Sequence, residues 1–328
     1  MTLNPMISDL RYPDDPMERA EWIIGRRPPR NPVDPNRPYA FFVEEEFSAN
    51  GEIVPVATIF LTNRECPWRC AMCDLWKNTL TEPVGPGAIP KQIQFALERL
   101  PAARQIKLYN GGSFFDAQAI PPADYKAIVE LIRPFERVIV ECHPSLVGER
   151  CFAFRDLLGR PLEVAMGLET AHPGVLEQLN KRMTLEQFAK AAEMLRAHDV
   201  GLRVFILVQP PFMKRDEALE WAKRSVDFAF DCGATAVSLI PTRGGNGAME
   251  TLERIGEFEK PSLATLEAAV VYGQGLKRGR VFADLWDLQQ TAPLCAKCWP
   301  ARLDWLHTMN LTQRMSESAP CEHCGGAS

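Results

Sequence analysis

A chain of 328 residues with 46% hydrophobic side chains is long enough for one large domain, with or without a small appendage, and apolar enough to exclude overall disorder. Its net charge of −5 argues against holding nucleic acid through a general basic surface, while leaving room for a local basic patch or a partner subunit. No signal pattern and no apolar run of transmembrane length occurs, so the ten cysteines are read in a reducing, cytoplasmic setting without a membrane partner, where metal ligation is expected and disulfides are not.

Residues 1–38 are proline-rich and mixed in charge, with one short candidate helix over 17–24, and read as an extended arm lying on the core. Two β-rich runs follow, 39–47 and 53–62, joined across Ala49, Asn50 and Gly51. Asn-Gly is a hairpin signal because both residues tolerate positive φ. The second run delivers the chain into CPWRCAMC, residues 66–73, where Cys66, Cys70 and Cys73 share one loop at a strand end. Three thiolates in such a loop suit a cubane [4Fe–4S] cluster, whose remaining iron is then open to a small-molecule ligand. A zinc loop would need a fourth ligand, and no Cys or His follows before Cys142 and His143. A chance group of buried cysteines is the bland alternative.

Beyond the loop, short runs rich in Val, Ile and Leu at 105–109, 137–141, 162–168, 202–208 and 236–240 read as buried parallel strands. Helical patterns at 91–100, 123–135, 185–198, 217–231 and 262–276 alternate with them. Counting the strand before the cysteines, the pattern predicts an α/β fold of six βα units curled into a partial TIM-like barrel, with an N-terminal hairpin extension. Function is then expected at the C-terminal strand ends. Those ends carry Asn110, Gly111, Gly112 and Ser113 after one strand, Glu141, His143 and Pro144 after the next, and Gly167, Leu168, Glu169 and Thr170 after the third. The glycines allow a tight turn or close approach to a ligand. Carboxylates there are costly if buried unpaired, so they call for a polar ligand or a basic partner. Lys181 and Arg182 precede a helix that Thr184 and Gln187 would cap as a box.

The tail departs from this alternation. Cys295 and Cys298 form one CxxC and Cys321 and Cys324 another, the spacing of a four-thiolate metal site. Zinc is preferred because facing CxxC turns are the usual ribbon geometry, and an auxiliary iron–sulfur cluster fits the same ligand count. Cys142, Cys151 and Cys232 are spaced like core residues. The expected divisions are an arm and first hairpin strand over 1–52, a barrel over 53–284 and a metal-binding segment over 285–328.

The CxxxCxxC loop after a first barrel strand resembles the signature of the radical S-adenosylmethionine (radical SAM) superfamily. KLYNGGSFFD, EVAMGLET, LNKRMT, VFILVQPPF and the cysteine-paired tail extend the likeness to the archaeosine-forming enzymes, within the group whose core is similar to the elongator catalytic subunit and the methylthiotransferases. The resemblance implies a [4Fe–4S] cluster on Cys66, Cys70 and Cys73 and S-adenosylmethionine (SAM) chelated to its open iron. It implies that Gly111, Gly112 and Ser113 receive the methionyl amine and that Glu141 and Glu169 meet ribose hydroxyls or that amine. Lys181, or Arg182 in reserve, would neutralise the carboxylate. It also implies an electron donor such as ferredoxin or flavodoxin, and a substrate that is a tRNA nucleoside or a 7-deazapurine-like metabolite. A peptide or other small-molecule substrate, or a non-catalytic iron–sulfur redox sensor or scaffold, are the alternatives. No residue is singled out as catalytic.

Overall fold

The computed structural model describes residues 10–290, 295–315 and 321. Eight strands lie side by side in chain order: β1 (Ala40–Phe47), β2 (Ile53–Leu61), β3 (Gln105–Asn110), β4 (Arg137–Glu141), β5 (Leu162–Glu169), β6 (Gly201–Val208), β7 (Ala236–Pro241) and β8 (Arg280–Ala283). β1 runs antiparallel to β2, and each later pair is parallel. Parallel neighbours need crossovers. The helices α2 (Ala88–Leu97), α3 (Tyr125–Ile132), α4 (Glu149–Leu158), α5 (Pro173–Gln178), α6 (Leu185–Ala197), α7 (Ala218–Asp231), α8 (Ala248–Arg254) and α9 (Leu263–Gly275) supply them. One face of the sheet is dry: Ile59, Leu108, Val140, Val204 and Leu239 are wholly buried in the main apolar cluster with Ile89, Ile93, Phe188 and Val226 of these helices.

The other face closes on itself. In a flat sheet β1 and β6 would stand five spacings apart, on the order of 24 Å. Yet Arg203 of β6 reaches Glu46 of β1, Nη2 to Oε1, at 2.5 Å, and Tyr109 of β3 meets Phe205 of β6 with ring centroids 6.1 Å apart. The sheet is therefore curled, and its inner floor is ionic. Lys107 contacts Glu46 at 2.6 Å, Arg203 contacts Glu163 at 2.7 Å, and Arg280 contacts Glu163 at 2.9 Å. Charges this deep are tolerated because each has a partner.

The five interior strands lie within one residue of their expected bounds, and the Thr184–Gln187 capping box forms on α6. Other features differ from expectation, the short helices α5 and α8 among them. β8 adds a seventh parallel strand, hidden in the sequence because it has only four residues and opens on an arginine. α4 was not expected: Glu149, Arg150, Arg155 and Asp156 mask the face that buries Cys151, Phe154 and Leu158. The hairpin is not a tight Asn-Gly turn, since residues 48–52 form a longer loop in which Gly51 takes φ +81° and Ser48 Oγ accepts from the backbone N–H of Asn50 and Glu52, each at 3.3 Å.

Two outlying elements pack on the barrel. α1 (Pro16–Ile24), capped by Asp15, brings Trp22 and Ile23 together with Tyr12 against Ala71, Met249, Leu252 and Phe258, behind the cysteine loop. α10 (Trp299–Thr312) lies against β8 and β1, the two edges of the sheet. Its Asn310 amide exchanges two 2.8 Å hydrogen bonds with the backbone of Ala283, and Gln313 does the same with Val281 at 2.7 and 3.0 Å. Side-chain amides thus stand in for a ninth strand on an edge that would otherwise present unpaired backbone groups. Among the described residues no helix is long and apolar enough to cross a membrane.

Candidate functional site at the C-terminal strand ends

β2 ends at Leu61, and Cys66, Cys70 and Cys73 follow as half-buried thiols in one loop. Distant residues hold that loop by its carbonyls. Asn180 Nδ2 donates to Arg69 O at 2.9 Å, Asn246 Nδ2 to Ala71 O at 2.8 Å and to Cys73 O at 3.0 Å, and Trp76 Nε1 to Cys73 O at 3.1 Å. Burial pushes the Cys66 thiol up to about 11 and the Cys73 thiol up to about 12, and holds Cys70 well above its ordinary value. Metal binding at such thiols releases their protons.

The expected glycine turn packs directly on this loop. A Cβ on Gly112, whose φ is +148°, would sit 3.2 Å from the Cβ of Cys66, and one on Gly111 would press on Thr79 at 2.5 Å. The Ser113 hydroxyl turns to the end of β4, 3.4 Å from Cys142 Sγ. Glu141, half-buried there, accepts the Asn110 N–H at 3.1 Å. Burial raises its carboxyl to about 8; the Asn110 N–H and Lys181 oppose that shift, and Glu169 adds to it.

Lys181 and Glu169 form a buried ion pair. Burial works against the Lys181 ammonium, but the Glu169 carboxylate together with the neighbouring Cys70 and Cys66 holds the pKa above its usual value. Gly167 makes room for the pair, because a Cβ there would collide with both charged ends. Arg182, the reserve cation of the sequence reading, is exposed. Lys181 also accepts, through its carbonyl, the His143 Nε2–H at 3.1 Å, while His143 Nδ1 accepts from Ser145. Burial and then Lys181 push His143 down to about 3, so the ring is neutral, and it stacks on Trp68 of the cysteine loop with centroids 3.8 Å apart. The sequence marks His143 at its strand end but assigns no site role to Asn180 and Asn246, since Asn180 lies 111 residues from its loop partner and Asn246 lies 175 from one of its two.

Two further observations mark these strand ends. Glu169, Asn180, Arg182, Gln209 and Phe212 all adopt φ between 53° and 69°, left-handed backbone that non-glycine residues keep only where surroundings impose it. Among buried polar atoms, Asn110 Nδ2 and Oδ1, Asn63 Oδ1 and Gln209 Oε1 lack hydrogen-bond partners within the protein. Unpaired buried groups of this kind cost about 1–3 kcal/mol each. A polar ligand at the strand ends would relieve that cost.

The tail site is of another kind. The sulfurs of Cys295, Cys298 and Cys321 lie within 4.8 Å of one another, with Cys295 and Cys321 at 3.9 Å. Two sulfurs on one tetrahedral zinc stand about 3.8 Å apart, from a Zn–S length of about 2.3 Å. Backbone N–H groups of Cys298 and then Lys297 hold the Cys295 thiol below its ordinary value. Cys324 lies outside the described residues.

No family model matches the chain. Among solved structures it is similar to the archaeal Elp3 of Methanocaldococcus infernus, with a TM-score of 0.53 at 16% identity over 78% of this chain and 63% of that one. A curled parallel sheet with the CxxxCxxC loop at the end of its first parallel strand is the arrangement that the radical SAM resemblance implies, and the chain shares its fold with that structure. More particularly, it is similar to the archaeosine synthase beta subunit of Methanosarcina acetivorans, 26% identical over 93% of both chains. It is also similar to an uncharacterised protein of Methanocaldococcus jannaschii, 23% identical over 71% of this chain and 68% of that one.

Proposed function

We propose that Cys66, Cys70 and Cys73 hold a [4Fe–4S] cluster and that the strand ends bind SAM for radical chemistry on a modified tRNA nucleoside of the archaeosine type. When bound, the cluster supplies the single electron that splits SAM into methionine and a 5′-deoxyadenosyl radical, which takes a hydrogen atom from the substrate. The observation that carries the proposal is the meeting of three half-buried thiols in one loop with a buried ion pair and partnerless polar atoms at one end of the barrel. Lys181 would neutralise the SAM carboxylate, Glu141 and Glu169 would accept from the amine or ribose hydroxyls, and the Gly111–Gly112 turn would let backbone groups approach the ligand. Asn180 and Asn246 orient the loop. A one-electron donor such as ferredoxin or flavodoxin completes the reaction.

The tail is proposed to bind one structural zinc through Cys295, Cys298, Cys321 and Cys324, because sulfurs 3.9 Å apart suit a single ion. Anaerobically reconstituted protein given dithionite and SAM should release 5′-deoxyadenosine, with about four irons and one zinc per chain. Product from a variant with Cys66, Cys70 and Cys73 all changed to Ala would sink the assignment. For the substrate, nucleoside profiles of tRNA from strains with and without the gene should differ in one modified guanosine-type nucleoside. Identical profiles would turn the search to peptides or other small molecules.

A further inference from the structure

The inner wall of the barrel carries a continuous series of aromatic rings that the SAM site does not use. Trp286 stacks on Phe42 with centroids 6.2 Å apart and planes 9° apart; Phe42 meets Phe60 at 5.9 Å, and Phe60 meets Tyr109 at 6.0 Å. Tyr109 then meets Phe205 at 6.1 Å, and Tyr39 joins the series at Phe60, 5.5 Å away. The register produces this arrangement: Phe60 and Tyr109 are direct partners across β2 and β3, and β1 and β6 each add an inward-facing ring.

These rings are not sealed. Phe42, Phe60, Tyr109 and Phe205 are each half-buried, and Trp286 is 63% exposed, so one indole face rests on Phe42 while the other is open. The rings that serve the core behave differently: Phe114, Phe115 and Phe154 are wholly buried. A large aromatic surface left wet across several strands forgoes hydrophobic stabilisation, and such surfaces mark binding sites. The series also has charged groups at its rim. Asp284 pairs with Arg243 at 2.5 Å beside Trp286, and Arg243 Nη1 donates to the Trp286 carbonyl. A lipid tail or aliphatic peptide would strip water from those charges with nothing in exchange. A planar heteroaromatic ring offers faces to the aromatics and N–H and C=O edges to the charges.

We infer that this aromatic track is the recognition surface for a purine-like base, with the open face of Trp286 as its stacking platform at the rim and Tyr109 and Phe205 as its floor. The inference rests on the proposed nucleoside substrate and names the residues that would read it. The base can arrive in a free nucleoside or in RNA. In RNA it must leave its own stack to enter the barrel, and an exposed indole offers replacement stacking along the way.

The test uses the reconstituted protein with SAM and measures binding of two probes, guanosine and an unmodified tRNA transcript, by calorimetry. Base–aromatic stacking is worth about 1–3 kcal/mol, so Trp286→Ala should weaken binding by about 5- to 150-fold. Because Trp286 is largely exposed, that variant should melt like the parent protein; Phe205→Leu, which keeps an apolar side chain, tests the floor. Weakened binding of both probes supports the track with the free nucleoside as a sufficient ligand, and weakened binding of the transcript alone supports it with RNA as the source. Unchanged affinity for both probes in both variants, or no binding of either probe by the parent, overturns it. Formation of 5′-deoxyadenosine without substrate is read separately, so a failure of the radical assignment is distinguishable from a failure of the track.

Discussion

At the position of Gly167 the chain has no room for a side chain, and the reason is electrostatic. The missing methyl group leaves space for Glu169 and Lys181 to pair away from water. Gly167→Ala should displace the flexible ends of Glu169 and Lys181 and weaken their pair, at less than the roughly 3–5 kcal/mol that removing one partner of a buried pair costs. Gly85→Ala, where an added Cβ meets nothing within 4 Å, should stay within about 0.5 kcal/mol of the parent protein in the same urea titrations. Glu141 supplies a pH test. Its folded pKa is raised to about 8 by burial, so the folded, metal-free protein holds a proton that the unfolded chain has released above roughly pH 4.5. Stability should therefore fall as pH rises from about 5 through 8, by about 1–3 kcal/mol once screening of this half-buried group is allowed for. Glu141→Gln should remove that slope, and an unchanged slope in the variant would reject the attribution.

Among the elements, α10 has the least obvious task. Its apolar side packs Leu306 and Met309 against the barrel, and Arg302 forms a buried pair with Glu267 of α9. Asn310 and Gln313 satisfy the β8 backbone, so Asn310→Ala or Gln313→Ala should each cost about 1–3 kcal/mol through an unpaired N–H. Hydrogen exchange at Ala283 or Val281 should speed up accordingly. The proposed zinc sits at the N-terminal end of this helix, where Cys298 is the residue before the first turn. Chelation at the tail should then raise exchange along β8 while sparing β4 and β5, and equal protection with and without chelator would separate the metal from the edge.

For the molecule as a whole, the ionic floor ties β1 to β6 across the curled sheet. Burial would raise the carboxyls of Glu46 and Glu163, but Arg203 in both cases, followed by Lys107 and Arg280 respectively, holds them below the carboxylate range. A depressed folded pKa means the folded state binds fewer protons than the unfolded chain. That stabilisation is complete above the unfolded value near 4.5 and is lost as pH falls below it. Acid unfolding should begin there. Arg203→Met, which removes the ion pair between β1 and β6 and leaves Glu46 to Lys107 and Glu163 to Arg280, should cost less than the roughly 3–5 kcal/mol of a stranded charge and shift the acid transition upward, as followed by far-ultraviolet circular dichroism.

Local information was enough for much of this. Thiol spacing, strand-length apolar runs and a capping box are each written within a few adjacent residues, so the cysteine loop, the βα alternation and the start of α6 were legible in the sequence. β8, α4 and the hairpin turn were not, because four residues, a charged helix face and a choice between turn types leave too weak a local signal. Tertiary structure alone decided that Lys181 points inward to Glu169 while Arg182 faces solvent, a difference between neighbours that only the bulge at Gly167 and the left-handed Arg182 backbone create. It alone brought Asn180 and Asn246 to the cysteine loop and set aromatic residues from β1, β2, β3 and β6 along one wall. These relations depend on the closure of a sheet whose partners are far apart in the chain, and no local pattern encodes that closure.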